Sequence, residues 1–548
     1  MLLTEYFRDA LRELIFYPRW IPNLGGGFGY PTFVFYQPLF FFITSFTGFI
    51  SQTNSGLACL LALYLFSFVG AVGTYRLSRF FCGKIPSLLT AFLFLLSPYV
   101  YVNLYVRADF SEYAAMMIFP LCLSFNVGIQ KSNEALLKPS ALWPCLGLAL
   151  SLAALITTHP IIAMNGCGAL LFFSILTYSD SWHPRELVRN RQMQALLLAF
   201  SLGLVISAPY WVTVLTMKKY INETRFISGY YSPEVHVVWF HQLLSLKWGF
   251  GGSTPDNDLD GMPFPLGLFF FIGACSGFLL GRKNRFIVCS FILYVTLIFM
   301  VLPFFPQIWR FHLLKFEQFP WRLLAVISSF QVLSILGIAT WKENRRDLRT
   351  GFFLSLIILS SIFFYREQFS IHPQTPPSHA VSELSKTIPS LKNNDYHMYQ
   401  TYSDTNDFLP LSANIPVSTG IRGIGTPMIF ADAADITPRE DNTDYYIHYL
   451  VETTRATELV VQQFYFPGWF IKINETILSR DELERNLNLD GLMQVSLPSA
   501  GTYEIVAYYD GAPFWRSLVL LSFFLTILGG FALIRLTRRS SLNNLKTI

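Results

Sequence analysis

Stretch after stretch of this 548-residue chain runs apolar for about 15–23 residues, the length that crosses a bilayer as a helix. Loops between these stretches alternate in charge. Such a chain must bury its backbone polar groups within helices, so the pattern predicts a polytopic α-helical membrane protein. Spans are predicted at 56–75, 85–104, 113–129, 140–157, 160–178, 194–216, 264–281, 286–304, 320–340, 351–365 and 514–536. With residues 33–50, which are apolar enough to span or to form a re-entrant helix, the total is about 11–12 membrane segments. Composition agrees: 52% of residues are apolar and only 14% charged, where soluble domains run nearer a quarter charged.

Every second loop is basic. Arg76, Arg79 and Lys84 fill one, Lys131 and Lys138 the next, then Arg185, Arg189 and Arg191. Arg282, Lys283 and Arg285 follow, then Lys342, Arg345, Arg346 and Arg349, and finally Arg535, Arg538 and Arg539. The positive-inside rule makes these loops, and the C-terminus, cytoplasmic. The complementary loops are then extracytoplasmic, and all the long ones are among them: 217–262, 305–319 and 366–512. The formal charge of +5 lies in short loops and implies no nucleic-acid partner. All seven cysteines lie in or beside apolar segments. Neither a zinc-type spacing nor a disulfide framework is expected.

Four regions follow. Residues 1–55 hold an amphipathic helix at 2–16, a turn-rich loop and the segment 33–50; the charged start predicts an interfacial helix rather than a cleaved leader. Residues 56–365 form the multi-span region. Within 366–512, Met493, Val495 and Leu497 alternate with Gln494, Ser496 and Pro498, a period of two with one solvated face. A β-sandwich-like domain is expected there, from about residue 400, before the last span and basic tail at 513–548.

Charges near a bilayer are costly, so the few present are candidates for chemistry. Arg107, Asp109 and Glu112 stand between two apolar segments, on the outer side. A carboxylate there can act as general base on a hydroxyl, and an arginine can balance a phosphate. The same residues would also serve as the acidic start of a helix, with Ser111 as a cap. His159, in a tight Thr-His-Pro turn on that side, can contact phosphate or carry a proton, or simply sit among headgroups. Arg322 opens a span within Gln318-Phe-Pro-Trp-Arg322, aimed at an anionic headgroup or snorkelling. Arg310, His312 and Lys315 add positive charge beside it. Asp256-Asn-Asp258-Leu-Asp260-Gly261 has the first half of a calcium loop, but Gly267 stands where the bidentate Glu is needed; a solvated loop is expected. Asn222-Glu-Thr and Asn474-Glu-Thr match the glycosylation pattern.

An ordered set of short motifs carries a resemblance. Tyr17-Pro-Arg-Trp20, Gly27-Phe-Gly-Tyr-Pro-Thr-Phe-Val-Phe-Tyr-Gln-Pro38, Ser97-Pro-Tyr99, Tyr105-Val-Arg-Ala-Asp-Phe-Ser-Glu112, Thr158-His159, Gln318-to-Arg322 and Phe466-Pro-Gly-Trp469 span nearly the whole chain. Together they resemble bacterial membrane proteins labelled "6-pyruvoyl-tetrahydropterin synthase-related", close to the YfhO-like proteins. These look like members of the GT-C glycosyltransferase superfamily. The pterin label belongs to a small soluble metalloenzyme and has no counterpart here. The resemblance implies transfer of a sugar from a polyprenyl-phosphate donor to an envelope glycan or protein acceptor, outside the bacterial cytoplasmic membrane. Lipid-linked sugar and membrane lipids are the implied partners. A divalent cation is left open as a cofactor, with no metal ligand assigned. It implies Glu112 and Asp109 as catalytic carboxylates, and Arg107, His159, Arg322, Arg19 and Tyr36 as substrate-binding residues. It also implies a further span ending in Asp and His ahead of residues 2–16, where Met1 falls. The alternative is a catalytically inactive scaffold, or a transporter, in envelope polysaccharide or lipid assembly. Mid-span positions are nearly all apolar, which counts against the transporter.

Overall fold

The structure is a computed structural model. It describes residues 2–132, 139–178, 190–222, 227–311, 313–340, 351–353, 355–360, 362, 409–413, 428–432, 434–511, 515–529 and 531. His312, most of 366–427, the basic tail, the basic loop at 341–350 and parts of two other basic loops lie outside the described residues.

The chain is a polytopic helical membrane protein with a β domain ahead of its last apolar helix. Its first elements are α1 (Leu2–Arg12), α2 (Thr32–Phe35), α3 (Leu39–Ser51), α4 (Ser55–Arg79), α5 (Lys84–Leu95), α6 (Pro98–Tyr101), α7 (Phe110–Lys131), α8 (Pro139–Thr158) and α9 (Pro160–Tyr178). Then come α10 (Arg191–Met217), α11 (Phe240–Leu243), α12 (Leu268–Gly281), α13 (Arg285–Val301) and α14 (Leu324–Ile335). Among the described residues, five helices are long and apolar enough to cross a membrane, or six if the bent pair α5–α6 counts as one. Other apolar helices are shorter, α3 and the helix Trp515–Gly529 among them.

Three departures from the predicted spans have local causes. Residues 33–50 are divided by Pro38; α3 has 13 residues, about 20 Å at 1.5 Å per residue and short of a full crossing. The segment 85–104 bends by 45° at the Ser97-Pro98 step, where proline disfavours helix for its predecessor. The span at 264–281 becomes helical only at Leu268, because Gly267 has φ 82 and a Cβ there would meet the Pro98 ring at 2.9 Å.

Two helices form the centre of the bundle. In the most apolar 18-residue windows of Phe110–Lys131 and Pro320–Thr340, 89% and 94% of the residues are buried, so their own partners, not lipid, receive most of their side chains. Small residues let helices meet closely. A Cβ on Gly277 in α12 would lie 2.1 Å from the Ser334 carbonyl oxygen of α14. Gly277→Ala is therefore expected to destabilise by about 1–3 kcal/mol, read as thermal unfolding in detergent. Gly168→Ala, with open space around it, is the control and should not shift the transition.

The amphipathic start is helical, but one charge is not on a wet face. Arg8 is buried, donating to the Thr53 carbonyl at 2.9 Å and pairing with Glu5 at 2.5 Å. Its neighbour Phe7 packs edge-on against Phe33 and Phe42.

Among the described residues, the β domain has two antiparallel sheets, ordered β1-β4-β7 and β2-β3-β8-β5-β6. Its strands are β1 (Ile429–Ala431), β2 (Ala434–Pro438), β3 (Tyr446–Thr453), β4 (Thr457–Phe464), β5 (Trp469–Ile473), β6 (Thr476–Ile477), β7 (Leu492–Leu497) and β8 (Gly501–Tyr509). The period of two is real: Ile447, Tyr449 and Val451 of β3 are buried, as are Met493, Val495 and Leu497 of β7. The N-terminal loop closes this core. Trp20 stacks on Tyr509 at 5.5 Å and donates its indole N–H to Gln463 Oε1 at 2.8 Å. Gly29 passes directly beneath that ring; a Cβ there would sit 2.2 Å from it.

Candidate active site

The site forms where two helix starts meet. After α6 the chain makes one π-helical turn, Val102–Val106, a widened geometry frequent at functional sites. It then passes through Ala108 at φ 50, a left-handed position that costs a β-carbon residue free energy. That kink sets Asp109 as the N-cap of α7, its Oδ1 accepting the Glu112 N–H at 3.0 Å. Glu112 lies one turn inside. The second start is Pro320, preceded by Gln318 at φ 60.

Glu112 is fully buried and shared by two guanidinium groups. Arg107 Nη1 is 2.5 Å from Oε1 and Arg322 Nε is 3.4 Å from Oε2. The Tyr99 hydroxyl donates to Oε1 at 2.9 Å. Arg107 also donates to Asp109 Oδ2 at 3.1 Å and to Asn103 Oδ1 at 2.5 Å, and lies over the Trp321 ring. Arg322 Nη1 donates to Gln318 Oε1 at 2.8 Å and to the Glu317 carbonyl at 3.3 Å. Asp109 differs from Glu112 in one respect that matters: 24% of its side chain is open to solvent, against none of Glu112's.

Charge states follow from these partners. Burial would raise the Asp109 carboxyl, but Arg107, His159, Arg322 and the Glu112 amide outweigh it and hold it below the usual carboxylate range. Burial works against the Arg107 charge, yet Glu112, Tyr99 and Asp109 outweigh it and keep its pKa above the ordinary value. His159 is pushed down to about 4, mainly by burial, with Asp109 and Glu112 opposing and Arg322 and Arg107 adding to the shift. Its ring is neutral at physiological pH.

Sequence reasoning missed Glu317. It is fully buried and accepts from Asn165 Nδ2 of α9 at 3.0 Å; burial pushes its carboxyl well above the usual range, with Arg322 and Asn165 opposing. Its signal in the sequence was being the sole acidic residue in the segment 305–319. Tyr99 and Asn103 were also missed, since single polar groups in an apolar run look like headgroup contacts.

Thus Arg107, Asp109, Glu112, His159 and Arg322, distant in sequence, come together. Arg19 and Tyr36 belong to another neighbourhood. The Arg19 guanidinium lies over Tyr17 at 4.1 Å and Trp515 at 4.7 Å, beneath the β domain. Tyr36 packs against Phe41. The acidic loop spends its groups locally: Asp260 accepts from the Thr254 N–H at 2.7 Å and from Gln242 at 2.7 Å. Asn474 accepts from the Glu504 N–H at 2.8 Å in a tight turn.

Asp109, Glu112 and His159 have ligand-type atoms all within 4.8 Å of one another, close enough for one metal ion by distance alone. The donor set does not fit one. Glu112 already lies between two arginines, and His159 Nδ1 is taken by the Ile162 N–H.

No protein-family model matches the chain, and no curated protein matches it. A solved structure, the crystal structure of ArnT from Cupriavidus metallidurans in the apo state, aligns with 63% of this chain and 56% of its own at 13% identity, with a TM-score of 0.39. The chain thus spans little more than half the length of that protein. At this distance the function is read from the geometry above.

Proposed function

We propose that the chain is a membrane glycosyltransferase of GT-C type. It would move a sugar from a polyprenyl-phosphate donor to a hydroxyl of an envelope glycan or protein, on the extracytoplasmic side. The observation that carries this reading is Asp109: an ionised, partly open carboxylate at the end of a membrane helix, with two arginines beside it. Alternation of basic loops supports the side.

In this mechanism Asp109 accepts the proton of the acceptor hydroxyl as its oxygen bonds to the anomeric carbon. The bond from that carbon to the phosphate oxygen breaks, and its electron pair leaves with the phosphate. Arg322 stabilises the charge that develops there. Glu112 is assigned differently from the sequence expectation. With no exposure and two guanidinium partners, it is a positioning residue that holds both arginines. No step passes through a metal.

The test is transfer from radiolabelled polyprenyl-phosphate sugars in membranes with and without the protein. Label should reach an acceptor only when the protein is present. No transfer from any donor sugar would sink the enzyme reading in favour of the scaffold.

A further inference from the structure

The turn between α8 and α9 is a one-residue hinge with a chemical consequence. The His159 N–H donates to the Leu155 carbonyl at 3.0 Å, closing α8, and the His159 carbonyl accepts from the Ala163 N–H at 2.9 Å, opening α9. The ring completes the hinge. His159 Nδ1 accepts the Ile162 N–H at 3.2 Å, capping the helix start as a Ser or Asn would. Pro160, which has no N–H to satisfy, fills the first helical position.

A backbone N–H can only donate. Nδ1 must therefore present its lone pair, and in the neutral ring the hydrogen sits on Nε2. The side chain is 95% buried by its 5% exposure, and Nε2 makes no hydrogen bond among the described residues. Its N–H keeps some exposure and is open to a ligand or water in the site.

The rival is a divalent cation held by Asp109, Glu112 and His159. It would need the Nε2 lone pair, which moves the hydrogen to Nδ1 and sets it against the Ile162 N–H, donor to donor. The cation would also lie beside the two guanidinium groups that already share Glu112. The two guanidinium groups already balance the Asp109 and Glu112 carboxylates; what stays open is hydrogen-bond donors, which the oxygen of a ligand complements. Arg322 Nη2, too, makes no hydrogen bond among the described residues.

We propose that His159 is an oxyanion donor: its cap-locked Nε2–H, with the outer edge of Arg322, binds an oxygen of a phosphate ester. Under the glycosyltransferase reading, on which the ligand's identity rests, that phosphate is the headgroup of the lipid-linked sugar.

The experiment measures binding, so it does not depend on transfer. Full-length protein in a phosphate-free maltoside detergent is titrated with farnesyl phosphate, farnesol, inorganic phosphate and phosphatidylglycerol, following thermal unfolding. Farnesyl phosphate should stabilise the protein and farnesol should not. Two variants separate the cap from the donor. Ser and Asn both cap helices well, so His159→Ser and His159→Asn should unfold near the wild type. Both keep the cap, but the Asn amide nitrogen ends one bond short of Nε2 and the Ser hydroxyl shorter still, so each should weaken binding by about tenfold or more. A similar loss for inorganic phosphate or phosphatidylglycerol upholds the donor role and moves the source from the lipid-linked sugar to a soluble ion or a bulk headgroup. Wild-type affinity in His159→Ser would overturn the proposal. So would stabilisation of the wild type by Zn²⁺ or Mn²⁺ that His159→Asn abolishes. If phosphate binds as described but no sugar is transferred, the donor role stands and the glycosyltransferase reading falls.

Discussion

Asp109→Asn is expected to lower sugar transfer by about 10²–10⁴-fold while the protein folds and inserts normally. The two effects separate because Asp109 has two jobs. As the N-cap of α7 it accepts the Glu112 N–H, and Asn caps a helix as well as Asp does. As the partly open carboxylate of the site it alone can take a proton, and an amide cannot. Arg107 would lose one charged partner but keep Glu112 and Asn103. Stability should therefore change by no more than about 1 kcal/mol. Transfer rate and thermal unfolding measured on one preparation decide the matter. A variant as active as the wild type would remove Asp109 from the chemistry.

Glu112→Gln should do the reverse, damaging the fold first. Its carboxylate is fully buried between Arg107 and Arg322. Removing one partner of a buried ion pair leaves uncompensated charge, at a cost of about 3–5 kcal/mol. That is a large share of the roughly 5–15 kcal/mol by which a native domain is held. The variant should accumulate poorly and unfold early. Adding Arg322→Gln should recover part of the stability, because the stranded charge is gone, without recovering transfer. If Glu112→Gln is as stable as the wild type yet inactive, Glu112 returns to the chemistry and the positioning role is wrong.

Much of this arrangement was readable because its causes are local. Alternating basic loops and apolar runs identify the helices. The Arg107–Glu112 cluster stands out because charge is scarce around it, but the expected cap, Ser111, is displaced by Asp109, whose Oδ1 accepts the Glu112 N–H. The different surroundings of the two carboxylates were not readable. They lie three residues apart on the first turn of one helix, and only the arrival of Arg322, 210 positions after Glu112 by their residue numbers, makes one a counter-ion and leaves the other open. Glu317 was hidden for the same reason, since nothing near it announces that its loop folds against Asn165 of α9. Arg19 entered through a motif likeness alone, and its ring contacts lie beneath the β domain.

The Trp20 contact carries a cost in time. Its partner Gln463 follows 443 residues later, so at ribosomal rates of about 5–20 residues per second the indole waits on the order of 20–90 s for its socket to be made. Through that interval a large aromatic loop stands without its cover while the membrane helices insert one after another. The nascent chain must be kept from aggregation for as long as the ribosome needs to finish it.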